Sequence, residues 1–425
     1  MNKYDKILKE VLEEVTPSKE KFEENSKIIK DSIENVREKI KKEKLDVEVF
    51  LGGSFAKKTV IKKDYYDADL FLRFDKKYRD EEIPLWAGKI LSGFKGVMKI
   101  HGSRDYFRIK ASQSLFIEVI PVLKINRAEE AKNITDLSYL HVKYINKKIK
   151  SEKILDEIRI AKAFCYANNC YGAESYINGF SGYALELLIS YYGSFLEFIR
   201  NITKVKEKAV IDLEKHYKNK KEVLMNINES KLHSPIILID PTFKQRNALA
   251  ALSNETFERF VKVCRDFLKN PSIKSFEVKK TDLEKVKAQS KKSGFEFILL
   301  DIETEKQEGD VAGSKLLKFF RHFNEELNRF FEVKNKGFEY NGEKSAECFF
   351  VVKPKREILS QGPFIKDIKN VKAFKKEHKR TFVKKNQIYA REKNSLTIRE
   401  FVSKWKSKNA RKIKEMAIKE MKVVG

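Results

Sequence analysis

The chain has 425 residues, which at roughly 150 residues per domain allows two to four domains and excludes a peptide-sized scaffold. Apolar residues make up 41% and include 31 Phe, enough to build real cores and to exclude wholesale disorder. Against 62 Asp and Glu stand 89 Lys and Arg, a net charge of +27, an excess that points to polyanionic company: nucleic acid, nucleotide or acidic membrane.

In chain order, Ile7–Val15 carries helical spacing, Thr16-Pro17-Ser18 breaks it, and a second helix runs to Lys44. A strand is predicted at Val47–Leu51, ending in Gly52-Gly53-Ser54, then strands at Ala68–Phe74 and from Leu115 to Pro121. From Lys153 to Arg200 the pattern is helical, aromatic and interrupted by Gly172, Gly179 and Gly193, which marks a second domain. A helix follows at Asn254–Leu268, and Pro271 with its lysine-rich sequel marks a boundary. Beyond it a strand at Phe295–Ile302, an amphipathic helix at Ser314–Phe331 and a strand at Glu347–Val352 read as a small α+β unit.

From Lys366 to Gly425 there are 20 Lys and Arg against 6 Asp and Glu, net +14 and about half of the whole excess. This concentration suits a surface that grips an RNA or DNA backbone. The first residues hold no apolar leader, and the most apolar stretch, Ala184 to Tyr192, is too short to cross a bilayer. Cys165, Cys170, Cys264 and Cys348 fall at no zinc-site spacing and are too few to staple such a chain, so a reduced, cytoplasmic protein is expected.

Chemistry concentrates near the first strands. Asp67 and Asp69 stand at i and i+2, so the two-residue period of a strand sends both carboxylates to one face. Ser54, thirteen residues before Asp67, closes a glycine run whose backbone can approach a triphosphate, with Lys57 and Lys58 close behind. Glu118 is a third acid inside an apolar strand, where a carboxylate is costly unless paired or metal-bound. Three acids on neighbouring strands would hold two Mg²⁺ roughly 3.5–4 Å apart, and the resulting chemistry is nucleotidyl transfer.

Gly52-Gly53-Ser54-Phe55-Ala56-Lys57-Lys58-Thr59 with Asp67-Ala68-Asp69 resembles the signature of the polymerase-beta-type nucleotidyltransferases. Together with Tyr171-Gly172-Ala173-Glu174, Gly179-Phe180-Ser181-Gly182-Tyr183, Tyr192-Gly193-Ser194-Phe195, Asp240-Pro241 and Arg246-Asn247, the chain resembles the archaeal-type class I CCA-adding tRNA nucleotidyltransferases. The resemblance is strongest from Leu51 to Val261 and thinner afterwards, where Gly362-Pro363 and Asn370-Val371 are its best points.

That resemblance implies a multidomain α/β and α+β protein: a polymerase-beta-like nucleotidyltransferase head at 1–149, a helical neck at 150–262, a body at 263–312 to which 388–425 returns, and a tRNA-binding tail at 313–387. It implies template-independent addition of C, C and A to the tRNA 3′ end from CTP and ATP, and it leaves room for a homodimer. Asp67, Asp69 and Glu118 would be the catalytic metal-binding triad. Gly53, Ser54 and Lys57 would meet the triphosphate, His141, Lys162 and Tyr171 would close on it from the far side, and Arg246 would face the base. Arg246 is a fixed cationic donor suited to the acceptor edges of cytosine and adenine. Three positions depart from the family pattern: Glu118 stands where Asp is usual, Asp67 where archaeal members often have Glu, and Lys57 where an Arg is expected. A poly(A)- or poly(U)-adding enzyme would share the loop and the acids, and a non-catalytic RNA-binding protein could keep the fold.

Overall fold

The computed structural model describes residues 3–102 and 104–425; Met1, Asn2 and Ser103 lie outside the described residues. The chain divides into two compact units, residues 1–279 and 280–425.

The first unit opens with two helices, α1 (Lys3–Val15) and α2 (Lys19–Lys42). Pro17 stops α1 and Ser18 caps α2, its hydroxyl accepting from the Lys21 amide at 3.2 Å. Then come β1 (Val47–Leu51), the short α3 (Gly53–Ala56), β2 (Tyr66–Phe74), α4 (Ile83–Ile90), β3 (Val97–Ile100), β4 (Tyr106–Lys110) and β5 (Leu115–Leu123). They form one five-stranded sheet in the order β1-β2-β5-β4-β3. Only β2 and β5 run parallel among its neighbours. Its core is built from Leu70, Leu72, Phe74, Ile117 and Val119 on the strands and from Ile29, Val36, Ile83 and Ile90 on α2 and α4.

The second core of this unit is helical, built by α5 (Ser138–Lys148), α6 (Glu152–Ala167), α7 (Gly182–Tyr192), α8 (Phe195–Ile202) and α10 (Asn254–Lys269), while α9 (Lys220–Asn226) packs through Val223 in a smaller cluster with Ile237 and Ile239. Beside them lies a small sheet of β6 (Ala209–Ile211), β7 (Ile236–Asp240) and β8 (Phe243–Asn247). Gly193 ends α7 at φ +80, a conformation that suits glycine. Phe164 sits among Phe195, Phe260, Phe267 and Phe276 with ring centroids 5.2–6.0 Å away. Leu8 and Val11 of α1 and Ile145 of α5 bury into this helical core, not into the sheet, and Tyr4 donates its hydroxyl to the Leu268 carbonyl at 2.6 Å.

The second unit begins with α11 (Leu283–Lys292) and holds a four-stranded antiparallel sheet. Its strands are β9 (Glu296–Thr304), β10 (Phe331–Tyr340), β11 (Ser345–Pro354) and β15 (Ile418–Val423), in the order β10-β11-β9-β15. Helices α12 (Asp310–Phe330) and α14 (Ile398–Lys408) share its core through Phe319, Phe323, Phe401 and Trp405, and α15 (Ala410–Glu415) precedes the last strand. A separate sheet of β12 (Glu357–Phe364), β14 (Gln387–Lys393) and β13 (Thr381–Lys384) carries the basic α13 (Ile368–Glu377), none of whose residues is buried.

Three divisions expected from the sequence fall at or inside elements. The one after 262 cuts α10, the one after 312 cuts α12, and the one after 387 leaves a single residue of β14 behind. Proline and lysine runs punctuate the chain locally, whereas shared cores join residues far apart in it. All four cysteines are free and buried. No helix among the described residues is long and apolar enough to cross a membrane.

Candidate active site

Residues Leu115–Leu123 pair with Tyr66–Phe74 so that Asp69 stands opposite Glu118 and Asp67 opposite Phe116. With Asp67 two residues from Asp69, the three acids share one face. Gly53, at φ +59, lays bare backbone against this face: a Cβ there would come within 1.7 Å of an Asp69 carboxylate oxygen. Burial, and then the neighbouring Glu118 carboxylate, pushes the Asp69 carboxyl up to about 7, against the pull of Lys57. Burial raises Glu118 as well, opposed by Arg108.

Arg108 is the residue of this face that sequence reading misses. It stands opposite Glu118 across β4 and β5 and donates Nε at 3.1 Å and Nη2 at 2.6 Å to Glu118 Oε1, with Asp67 Oδ1 3.9 Å from Nη2. As placed, no group of three or more His, Cys, Asp and Glu side chains among the described residues is gathered to hold a metal ion; Glu118 is turned toward Arg108. The donor chemistry nonetheless fits a hard divalent cation: carboxylate oxygens on one face, with the Asp69 carboxyl raised by burial and then by its like-charged neighbour Glu118.

Lys57 and Lys162 lie together but buried. Lys57 Nζ is 2.6 Å from Glu186 Oε2 and Lys162 Nζ 2.8 Å from Glu186 Oε1, with the Thr59 hydroxyl between Lys162 and Glu186. Tyr171, from the loop after α6, comes close to the same spot: a Cβ on Gly182 would meet its hydroxyl at 3.0 Å and Lys162 Cε at 3.6 Å. Ser54 lies in α3, half-buried. Lys63 adds a cation over the Tyr166 and Tyr171 rings, 4.8 and 5.2 Å from their centroids.

His141 and Arg246 meet at Asp240, a wholly buried carboxylate at the end of β7. Arg246 Nη1 is 2.7 Å and His141 Nε2 2.9 Å from Oδ2, while the Tyr183 hydroxyl and the Thr242 amide and hydroxyl donate to Oδ1 at 3.0, 2.8 and 2.8 Å. His141 stacks on Tyr183 at 4.0 Å. Burial would raise the Asp240 carboxyl, but His141 and Arg246 hold it well below the usual carboxylate range; burial lowers His141 despite Asp240. Arg246 therefore sits on a strand, tied to Asp240, and His141 reaches the site through that carboxylate. Lys57 Nζ lies 5.9 Å from the Tyr183 ring and so borders both clusters.

In the sequence Asp240 stands only within its motif, and Glu186 belongs to no motif. The signal for Glu186 is a lone acid in the most apolar run of the chain.

The family model described as tRNA nucleotidyltransferase, second domain, matches residues 156–277. The chain is 37% identical to a CCA-adding enzyme of Nanoarchaeum equitans over 273 residues, 64% of this chain and 67% of the relative. It is 29% identical to a CCA-adding enzyme of Methanocaldococcus jannaschii over 408 residues, 91% of this chain and 87% of the relative. Among solved structures, a cytoplasmic RNA terminal U-transferase matches with a TM-score of 0.50 at 13% identity, over 66% of this chain and 100% of the other, a likeness of fold.

Proposed function

Because the chain belongs to the archaeal family of CCA-adding enzymes, we propose that the acidic face of β2 and β5 is its catalytic centre. It extends the 3′ end of tRNA with C, C and A without a nucleic-acid template, taking CTP and ATP and releasing pyrophosphate. What supports this placement above all is Asp69 in register with Glu118, with glycine backbone pressed against the Asp69 carboxylate.

Asp67, Asp69 and Glu118 would hold magnesium, as two ions. Bound there, magnesium would favour the ionised ribose hydroxyl and offset phosphate charge. The protein's own part is positioning and charge, so no protein nucleophile is required. The Gly53 backbone and Ser54 receive the triphosphate beside the acids, Lys57 and Lys162 supply positive charge, and Tyr171 supplies a hydroxyl. Arg246 presents its guanidinium to the base while Asp240, held by His141, Tyr183 and Thr242, fixes its direction.

The five-stranded sheet with its helices is the head, the helical core with α1 is the neck, the four-stranded unit is the body, and the β12-β14-β13 sheet with α13 is the tail. The last carries much of the positive charge of the C-terminal sixty residues. It would meet tRNA through backbone and shape, since the base edges of double-stranded RNA are hidden in a deep groove.

A tRNA transcript lacking its terminal three nucleotides, incubated with CTP, ATP and magnesium, should gain three nucleotides and stop. A homopolymer run-on would assign the chain to a poly(A)- or poly(U)-adding activity, and no incorporation at all would favour an RNA-binding protein.

A further inference from the structure

Helix α7 is apolar along most of its length, yet Glu186 in its middle is wholly buried. A buried carboxylate demands partners, and here it has more than a single ion pair. Lys57 reaches it from the segment after α3, and Lys162 reaches it from α6, with side chains only 8% and 2% exposed. The Thr59 hydroxyl donates to Glu186 Oε1 at 2.9 Å and accepts from Lys162 Nζ at 2.7 Å. Two cations against one anion leave the trio with one positive charge unmatched.

If packing alone were served, this would be a costly arrangement, because apolar side chains of similar volume usually do as well or better than buried ion pairs. The cost falls on Lys162, while the two lysines hold Glu186 charged. Burial brings Lys162 down to about 8 even with Glu186 beside it. Burial would raise Glu186, but Lys162 and Lys57 bring it to about 2. The other charged and titratable neighbours are Lys63, which also disfavours the Lys162 charge, Asp69 on β2, whose carboxyl Lys57 pulls down against burial, and Tyr171, which borders Lys162.

We propose that Glu186 is a positioning residue for the triphosphate: it holds the ammonium groups of Lys57 and Lys162, one from each core of the first unit, side by side and charged, so that a phosphate oxygen completes the trio. This rests on the reading that the two lysines serve the triphosphate. Glu186 itself touches no substrate. It joins the loop beside the acidic face to the helices that follow, so binding of phosphate charge and alignment of the two cores are coupled through it.

The test is calorimetric binding of inorganic tripolyphosphate and of ATP to the full chain, with tRNA binding measured alongside. Glu186→Gln should weaken both phosphate ligands at least tenfold, leave tRNA affinity within twofold, and raise KM for ATP and CTP more than it lowers kcat. Glu186→Asp, which keeps the charge, should recover most of the loss. In the parent, tripolyphosphate affinity should fall as pH rises through about 8, and in Glu186→Gln the fall should come at lower pH. Tripolyphosphate bound equally or more tightly by Glu186→Gln, with an unmoved pH profile, overturns the proposal. Should that variant fail to fold, Thr59→Val keeps every charge and removes the bridging hydroxyl. A threefold or greater loss of tripolyphosphate affinity is expected from it, and no loss overturns the proposal. If the parent adds C and A while the variants bind phosphate normally, this proposal alone fails; if the parent adds neither, the functional reading fails first.

Discussion

Arg108 and Glu118 face each other in register across β4 and β5, and the guanidinium gives two N–H groups to a single carboxylate oxygen, at 3.1 and 2.6 Å. A cation of the protein thus occupies the side of the acidic face where a divalent metal would need Glu118.

A metal held by the acidic face as proposed would compete with Arg108 for Glu118. Arg108→Gln should tighten Mn²⁺ binding to the metal-free protein several-fold, read by calorimetry. It should also enlarge the rise in melting temperature that magnesium confers, because a ligand stabilises in proportion to its affinity. Unchanged or weaker Mn²⁺ binding would show that Arg108 supports the site and does not guard it.

Asp69 predicts a pH dependence. Its folded pKa, about 7, lies above the ordinary carboxylate value because of burial and Glu118. Between the two values the native state binds more protons than the unfolded state, so this group's contribution to stability is present at low pH and is lost as pH rises through about 7. A metal bound by Asp69 as proposed would displace the same proton. Mn²⁺ affinity should fall about tenfold per pH unit below 7 and level off above it; a flat profile between pH 5.5 and 8 contradicts this.

Arg246→Ala should impair choice of base more than binding of RNA. Asp240 would keep His141, Tyr183 and Thr242, so the fold is expected to survive. UTP incorporation relative to CTP should rise about tenfold, the scale of one hydrogen bond to a charged donor. An unchanged ratio with tRNA affinity intact would remove Arg246 from base selection.

The basic C-terminal region predicts affinity governed by salt and not by tRNA identity. Moving from 50 to 200 mM salt should weaken tRNA binding on the order of 10³-fold if about six or more phosphates are contacted. Unrelated tRNAs should bind within a few-fold of one another in filter binding. Wide differences among tRNAs, or little effect of salt, would refute docking through the backbone.

Strands β1, β2 and β5 are legible in the sequence because each is a run of apolar residues bounded by turn signals, and Asp67, Asp69 and Glu118 stand out against that background. Strands β3 and β4 are not. Val97–Ile100 and Tyr106–Lys110 mix charged with apolar residues, as strands with an exposed face do, and Arg108 is hidden with them. Helix α1 reads correctly as a helix, but its place in the helical core depends on Phe267 and Leu268, far along the chain. The Asp240 cluster is illegible for a similar reason: His141 and Asp240 are 99 residues apart, and only tertiary packing brings the imidazole to the carboxylate. Glu186 stands out as an acid among leucines, yet its partners Lys57 and Lys162 lie 129 and 24 residues before it in the chain.

The acidic face is the proposed seat of catalysis, and its most direct test is incorporation by Asp69→Asn, set against the parent, into tRNA that lacks its 3′-terminal C, C and A. Each labelled triphosphate is supplied in turn. The parent should add two C and, with ATP present, one A, with U and G refused, and Asp69→Asn should add nothing while still binding tRNA. Incorporation by Asp69→Asn at the parent rate would contradict the placement of the catalytic centre on β2 and β5.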